Sequence, residues 1–204
     1  MQEKKALVIV DVQRDFCEHG SLAVPHASEI IPLINTLKSS PSYSLVVLTR
    51  DWHPATHCSF AVNNPGTQPF ETIKNQRGED QVMWPTHCVQ GTEGAQFHPD
   101  LQVIASDVIV NKGLQVESYS GFGSSLEVTG LEEILRQHQI AEVHCCGLAF
   151  DYCVGSTAKD AARLGFKTVV IKEATRSIAS ETEKQMEEAL AKADVKISCL
   201  HELA

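Results

Sequence analysis

No run of apolar residues in the 204-residue chain approaches the roughly 18 to 20 needed to cross a bilayer, so no membrane-spanning helix and no membrane partner are expected. The opening MQEKKALVIV passes from charge straight into a short apolar run and lacks the pattern of a secretion signal, which predicts a cytoplasmic protein. There is no Cys-x-x-Cys pair among the seven cysteines. Their odd number and the adjacent Cys145 and Cys146 argue against both a disulfide framework and a zinc knuckle, so the thiols are expected to be reduced. Low-complexity sequence is absent, and the 17 basic residues are scattered against 26 acidic ones. A net charge of -9 without a basic cluster excludes nucleic acid as the expected partner. What is present, 43% hydrophobic and 21% charged residues, suits one globular domain over 1–204 with a core that needs no cross-links.

Short apolar runs recur at Ala6–Val10, Leu45–Thr49, Val108–Val110, Val143–Gly147, Thr168–Ile171 and Val195–Ile197. Several are rich in Val and Ile, as strands buried on both faces are. Helical patterns fall between many of them, at Glu29–Lys38, Leu131–Gln137, Tyr152–Leu164 and Glu181–Ala193, the last behind a Ser180/Glu183 capping box. This alternation predicts an α/β fold, a doubly wound, mostly parallel sheet with helices on both faces, and such sheets place their chemistry at the carboxyl ends of the strands. The rhythm breaks over about 51–105, a Pro-rich stretch with Trp, His and Cys and no clean period. A connection of that length inside a compact domain is usually functional or disordered, and its composition favours function.

Polar residues at the strand ends are therefore the candidates for chemistry. Asp11 directly follows the first run, although a lone Asp there is more often a loop cap. Asp51 and His53 are two apart, so an extended chain points both to one side, and with His87 they make a carboxylate and two imidazoles able to hold Zn, Fe or Mn with positions left open. The alternative is a set of loop histidines. His57 is either a fourth ligand or a residue that orients one, the second being preferred. Lys112 ends the third run and could equally snorkel to solvent. Cys153 lies in the first turn of the helix that follows Val143–Gly147, where unpaired amides and the helix dipole favour a thiolate and could hold an oxyanion. Free cysteines are otherwise mostly buried and inert, so position rather than residue type distinguishes this one.

A carboxylate, an ammonium and a helix-start thiol at neighbouring strand ends supply a proton carrier, a charge stabiliser and a nucleophile. With this set in hand, the chain resembles the cysteine hydrolases of the isochorismatase-like superfamily, in particular its nicotinamidase branch. The resemblance is carried by Asp11-Val12-Gln13-Arg14-Asp15-Phe16, Asp51-Trp52-His53-Pro54, Trp84-Pro85-Thr86-His87-Cys88-Val89-Gln90-Gly91-Thr92, Lys112-Gly113, Tyr119-Ser120-Gly121-Phe122 and Gly147-Leu148-Ala149-Phe150-Asp151-Tyr152-Cys153-Val154. The resemblance implies the isochorismatase-like hydrolase fold, with Asp11, Lys112 and Cys153 as catalytic residues and one divalent metal per chain on Asp51, His53 and His87. Zinc is the foremost candidate, with iron or manganese also admitted. It further implies a substrate pocket formed by Phe16, Trp84, Tyr119, Leu148 and Ala149, an oxyanion hole from the amides of Ala149 and Cys153, and a cis peptide at Leu148–Ala149.

The activity implied is hydrolysis of nicotinamide to nicotinic acid and ammonia through a Cys153 thioester, with the metal orienting the substrate and the product feeding NAD salvage. Family members are often homo-oligomeric, so a homo-oligomer is compatible with this reading. Small-amide hydrolases such as N-carbamoylsarcosine amidase are the nearest alternative, which the Trp84–Val89 segment disfavours. A catalytically silent nicotinamide-binding module is a second one, disfavoured by the intact Asp11, Lys112 and Cys153.

Overall fold

The structure is a computed structural model and describes residues 3–75, 78–114 and 118–202. The expected domain over 1–204 thus runs beyond the described residues at both ends. Six strands form the central sheet: β1 (Lys4–Val10), β2 (Tyr43–Asp51), β5 (Val108–Lys112), β8 (Ile140–Leu148), β9 (Lys167–Arg176) and β10 (Lys196–Ser198). Their order is β10-β9-β8-β1-β2-β5, and every pairing is parallel. Two small hairpins stand apart, β3 (Thr72–Lys74) with β4 (Asp80–Val82), and β6 (Gly123–Ser124) with β7 (Glu127–Val128).

β1 shows why a doubly wound sheet suits this sequence. Its buried residues alternate, with Ala6, Val8 and Val10 entering one core and Leu7 and Ile9 the other. The first core is closed by α2 (Leu131–Gln137), α3 (Gly155–Arg163) and α4 (Ser180–Lys192) through Leu131, Leu135, Ala158, Ala161, Met186 and Leu190. The second is closed by α1 (Ile31–Lys38) through Ile31 and Ile34. Each Val, Leu or Ile fully buried in this way contributes about 1.5–3 kcal/mol. Helices therefore lie on both faces, and the chain winds from β1 outward to β2 and β5, then returns to place β8 on the other side of β1. The crevice at the carboxyl ends of β1 and β8 is the switch point of the topology, where such sheets bind ligands. No helix among the described residues is long and apolar enough to cross a membrane.

The Ser180/Glu183 capping box does not form, because α4 is preceded by Ala179 with no side-chain cap. Asp151 supplies that function instead, accepting the Ile178 and Ala179 amides and the Thr182 hydroxyl, which frees Glu183 to pair with Lys172 at 2.5 Å. The helix expected to start at Tyr152 begins instead as a π-helical turn, Phe150–Val154, before α3.

Candidate active site

Four strand ends converge. Asp11 follows β1 in the left-handed region (φ 51°), and its carboxylate accepts the Thr49 hydroxyl at 2.7 Å. Asp51 and Lys112, the last residues of β2 and β5, are register partners. The Lys112 ammonium is fully buried, 2.8 Å from Asp11 Oδ2, 2.6 Å from Asp51 Oδ1 and 3.3 Å from Cys153 Sγ. Among the described residues, Asp11, Asp51 and Cys153 also form a group whose ligand atoms all lie within 4.8 Å of one another. The β8–α3 turn is brought to this point by a cis peptide at Leu148–Ala149 and by Gly147 (φ 106°), where a Cβ would stand 2.1 Å from the Val10 carbonyl oxygen.

Electrostatics follow from this burial. Desolvation pushes Asp11 up to about 6, with Lys112 opposing and the Asp51 charge assisting. Burial alone would also raise Asp51, yet Lys112, His53 and His87 outweigh it and hold that carboxyl below its usual range. Lys112 keeps its proton despite burial because two carboxylates face it. The helix start does not produce the expected thiolate at Cys153: burial, with Asp11 and Asp51 adding to it, raises the thiol well above its ordinary value, and Lys112 is the group that pulls it down. A thiol beside a carboxyl with a raised pKa can pass its proton to that carboxyl.

Beside this cluster, Asp51, His53 and His87 present ligand atoms within 4.8 Å of one another, all three residues buried. His53 Nδ1 lies 2.6 Å from the Gly113 carbonyl oxygen and His87 Nδ1 lies 2.7 Å from that of Pro85. A carbonyl only accepts, so both Nδ1 atoms carry the hydrogen and both Nε2 lone pairs face Asp51 Oδ2, at 3.5 and 4.0 Å. Burial and the neighbouring His53 lower His87 to about 4, which leaves it a neutral imidazole at neutral pH. This donor set fits a divalent metal. The backbone brings the pieces together: His53 N–H donates to the Cys88 carbonyl, Gln90 N–H to that of His53, and Cys88 N–H to the Asp15 carboxylate at 2.8 Å. His57 lies against His53 with its ring tilted by 36°, 4.2 Å between centroids, and has its Nδ1 2.8 Å from Ser59 Oγ, but it is not part of the ligand group.

Over both clusters lies a cavity lined by Phe16, Trp84, Tyr119, Ala149 and Cys153 together with Asp51, His53 and His87. Trp84 Nε1 donates to the Tyr119 hydroxyl at 3.1 Å, and Tyr152 meets both rings edge-on. Leu148, expected in this wall, is not in it; fully buried, it packs in the core shared with α1. Leu22, Val24 and Ile178 complete the apolar side of the cavity, unanticipated from sequence.

A family model described as the isochorismatase domain matches residues 5–202. The chain belongs to the isochorismatase family. Within that family it is 44% identical over 177 residues, 85% of this chain and 81% of the relative, to a nicotinamidase of Acinetobacter baylyi. Among solved structures it resembles the nicotinamidase pyrazinamidase of Acinetobacter baumanii, with a TM-score of 0.93 and 42% identity over 100% of both chains. It also resembles a pyrazinamidase of Pyrococcus horikoshii in complex with zinc, with a TM-score of 0.80 and 36% identity over 97% of this chain and 99% of the other. The isochorismatase fold anticipated from the sequence is thus the fold observed.

Proposed function

We propose that this isochorismatase-family protein is a nicotinamidase, hydrolysing nicotinamide to nicotinic acid and ammonia and so feeding NAD salvage in the cytoplasm. The observation that carries the reading is the contact of Cys153 Sγ with a fully buried Lys112 that also binds Asp11 and Asp51, at the floor of an aromatic cavity. Relatives of that activity at 42–44% identity support it.

Phe16, Trp84 and Tyr119 enclose the flat ring and exclude water, setting the carboxamide carbon over Cys153. Asp11 accepts the thiol proton as sulfur attacks, and Lys112 holds the charge pattern of thiolate and carboxylates together. The backbone amides of Ala149 and Cys153 bind the oxyanion. Asp11 then protonates the amine nitrogen, ammonia leaves, and a thioester joins the acyl group to Cys153. Asp11 next takes a proton from water, which attacks that thioester; nicotinic acid departs and sulfur regains its proton. Asp51, His53 and His87 would hold one divalent ion, zinc foremost with iron or manganese also admitted by the donor set, and when bound it would supply an electrophilic anchor for the lone pair of a ring nitrogen.

The test is ammonia release from nicotinamide, with and without chelation, beside N-carbamoylsarcosine and an aliphatic amide. Release from nicotinamide that chelation abolishes is expected. Release from the other amides alone would move the substrate, and release from none would leave a binding module.

A further inference from the structure

The first loop contributes Asp11 and Phe16 to the site, and between them stands Gln13, a fully buried side chain that the chemistry above does not use. Its amide makes three hydrogen bonds. Nε2 donates to the Asp51 carbonyl at 2.8 Å and to the Ala95 carbonyl at 3.0 Å, and Oε1 accepts the Asp51 amide at 2.8 Å. Both backbone polar groups of Asp51 are thus satisfied by one side chain.

The sheet explains the need. β1 and β2 pair up to Val10↔Thr49, after which the chain leaves β1 at Asp11. On its other side Asp51 is still paired, to Lys112 of β5. Facing the departed strand, the Asp51 N–H and C=O are buried and would lack partners, a costly state for backbone groups. The Gln13 amide offers the same donor and acceptor as a peptide unit and so continues the ladder by one rung. Its third bond reaches Ala95, in the segment that carries His87. The Asp51 carboxylate is divided, Oδ1 against Lys112 and Oδ2 toward the two imidazoles, and that division requires a fixed main chain.

We infer that Gln13 is the positioning residue of the metal centre, holding Asp51 and the His87 segment at the separation a divalent ion requires. This rests on the reading of Asp51, His53 and His87 as its ligands. Residues behind metal ligands typically govern affinity by about 10- to 100-fold. Gln13→Met keeps the length and removes all three bonds, whereas Gln13→Glu keeps the acceptor and removes both donations.

The experiment is cobalt(II) titration of chelated protein, read by the visible absorbance of the bound ion in competition with a chromophoric chelator, on wild type, both Gln13 variants, His53→Ala and Ile34→Ala. Ile34 is fully buried on the inner face of α1, away from the cavity lining, and Ile34→Ala supplies a destabilised control. Both Gln13 variants should bind cobalt about 10- to 100-fold more weakly, with altered band intensity, while Ile34→Ala binds as wild type does. Either Gln13 variant binding as tightly as wild type overturns the inference alone, as does an equal loss in Ile34→Ala. A wild type that takes up no cobalt, or a His53→Ala protein that binds it undiminished, overturns the metal reading and the inference with it.

Discussion

Replacing Lys112 by Met should be among the most damaging changes this chain can suffer, and its size follows from the geometry. The ammonium lies 2.8 Å from Asp11 and 2.6 Å from Asp51, with no exposure to water. At an effective dielectric of about 20, each such contact carries about 6 kcal/mol of attraction, much of it offset by the desolvation of three charges. Truncating one partner of a buried ion pair removes the attraction and leaves the desolvation, a net cost of about 3–5 kcal/mol. Against a total stability of about 5–15 kcal/mol that is a large fraction, and for a chain of this size it lowers Tm by about 6–20 °C. Thermal denaturation of chelated protein at pH 8, where both carboxylates are ionised, would measure it. Without the ammonium Asp51 loses the main charge that holds it down and Asp11, already raised to about 6, rises further, so the deficit should shrink as pH falls toward 6 and one of them takes up a proton. Asp51→Asn in the Lys112→Met background should recover part of the loss. A variant that melts within about 2 °C of wild type at pH 8, with no response to pH, would refute the account.

Cys153→Ala should fold normally, since a small buried side chain is exchanged for a smaller one, and should lose ammonia release by a factor of about 10⁴ or more; a well-folded variant that turns over would remove Cys153 as nucleophile. Gly113→Ala forces a side chain onto a φ of 65° and places its Cβ 2.4 Å from His53 Cε1, so about 1–2 kcal/mol of stability and much of the bound metal should be lost. Zinc content after dialysis decides it, and a full complement would count against the role of that close approach. At the opposite end of the sheet, burial would raise Glu142, but hydrogen bonds from Lys167 at 2.8 Å and His144 at 2.7 Å hold it down to about 2. A depressed carboxyl stabilises the fold above its ordinary pKa near 4.5 and loses that contribution as pH falls toward 2. Denaturant titrations should find Glu142→Gln weaker by about 2 kcal/mol at pH 7, after allowing for the solvent around Lys167, and nearly equal to wild type by pH 2. A gap independent of pH would contradict the pairing.

The strands were legible because residues buried on both faces leave unbroken Val and Ile runs, and their ends because Asp11, Asp51 and Lys112 interrupt those runs abruptly. Boundaries were less so. β9 runs on to Arg176 although apolar character stops at Ile171, since Lys172 lies over the Phe150 ring and Thr175 bonds the Gly147 carbonyl, contacts that depend on distant residues. The apolar wall from Leu22, Val24 and Ile178 and the clamp from Gln13 were hidden for the same reason, as each acts across a separation that no local period records. At Cys153 a helix start points to a lowered thiol pKa, whereas burial, which depends on distant residues, raises it.

The strand order has a consequence for synthesis. β1 is complete at Val10, yet its inner neighbour β8 ends only at Leu148. At about 5–20 residues per second, the ribosome needs roughly 7–28 s to make the intervening chain. Through that interval the centre of the finished sheet is an open edge of Leu, Val and Ile, the kind of edge that pairs with the wrong strand. The two lysines that open β1, Lys4 and Lys5, are the charges nearest to guard it.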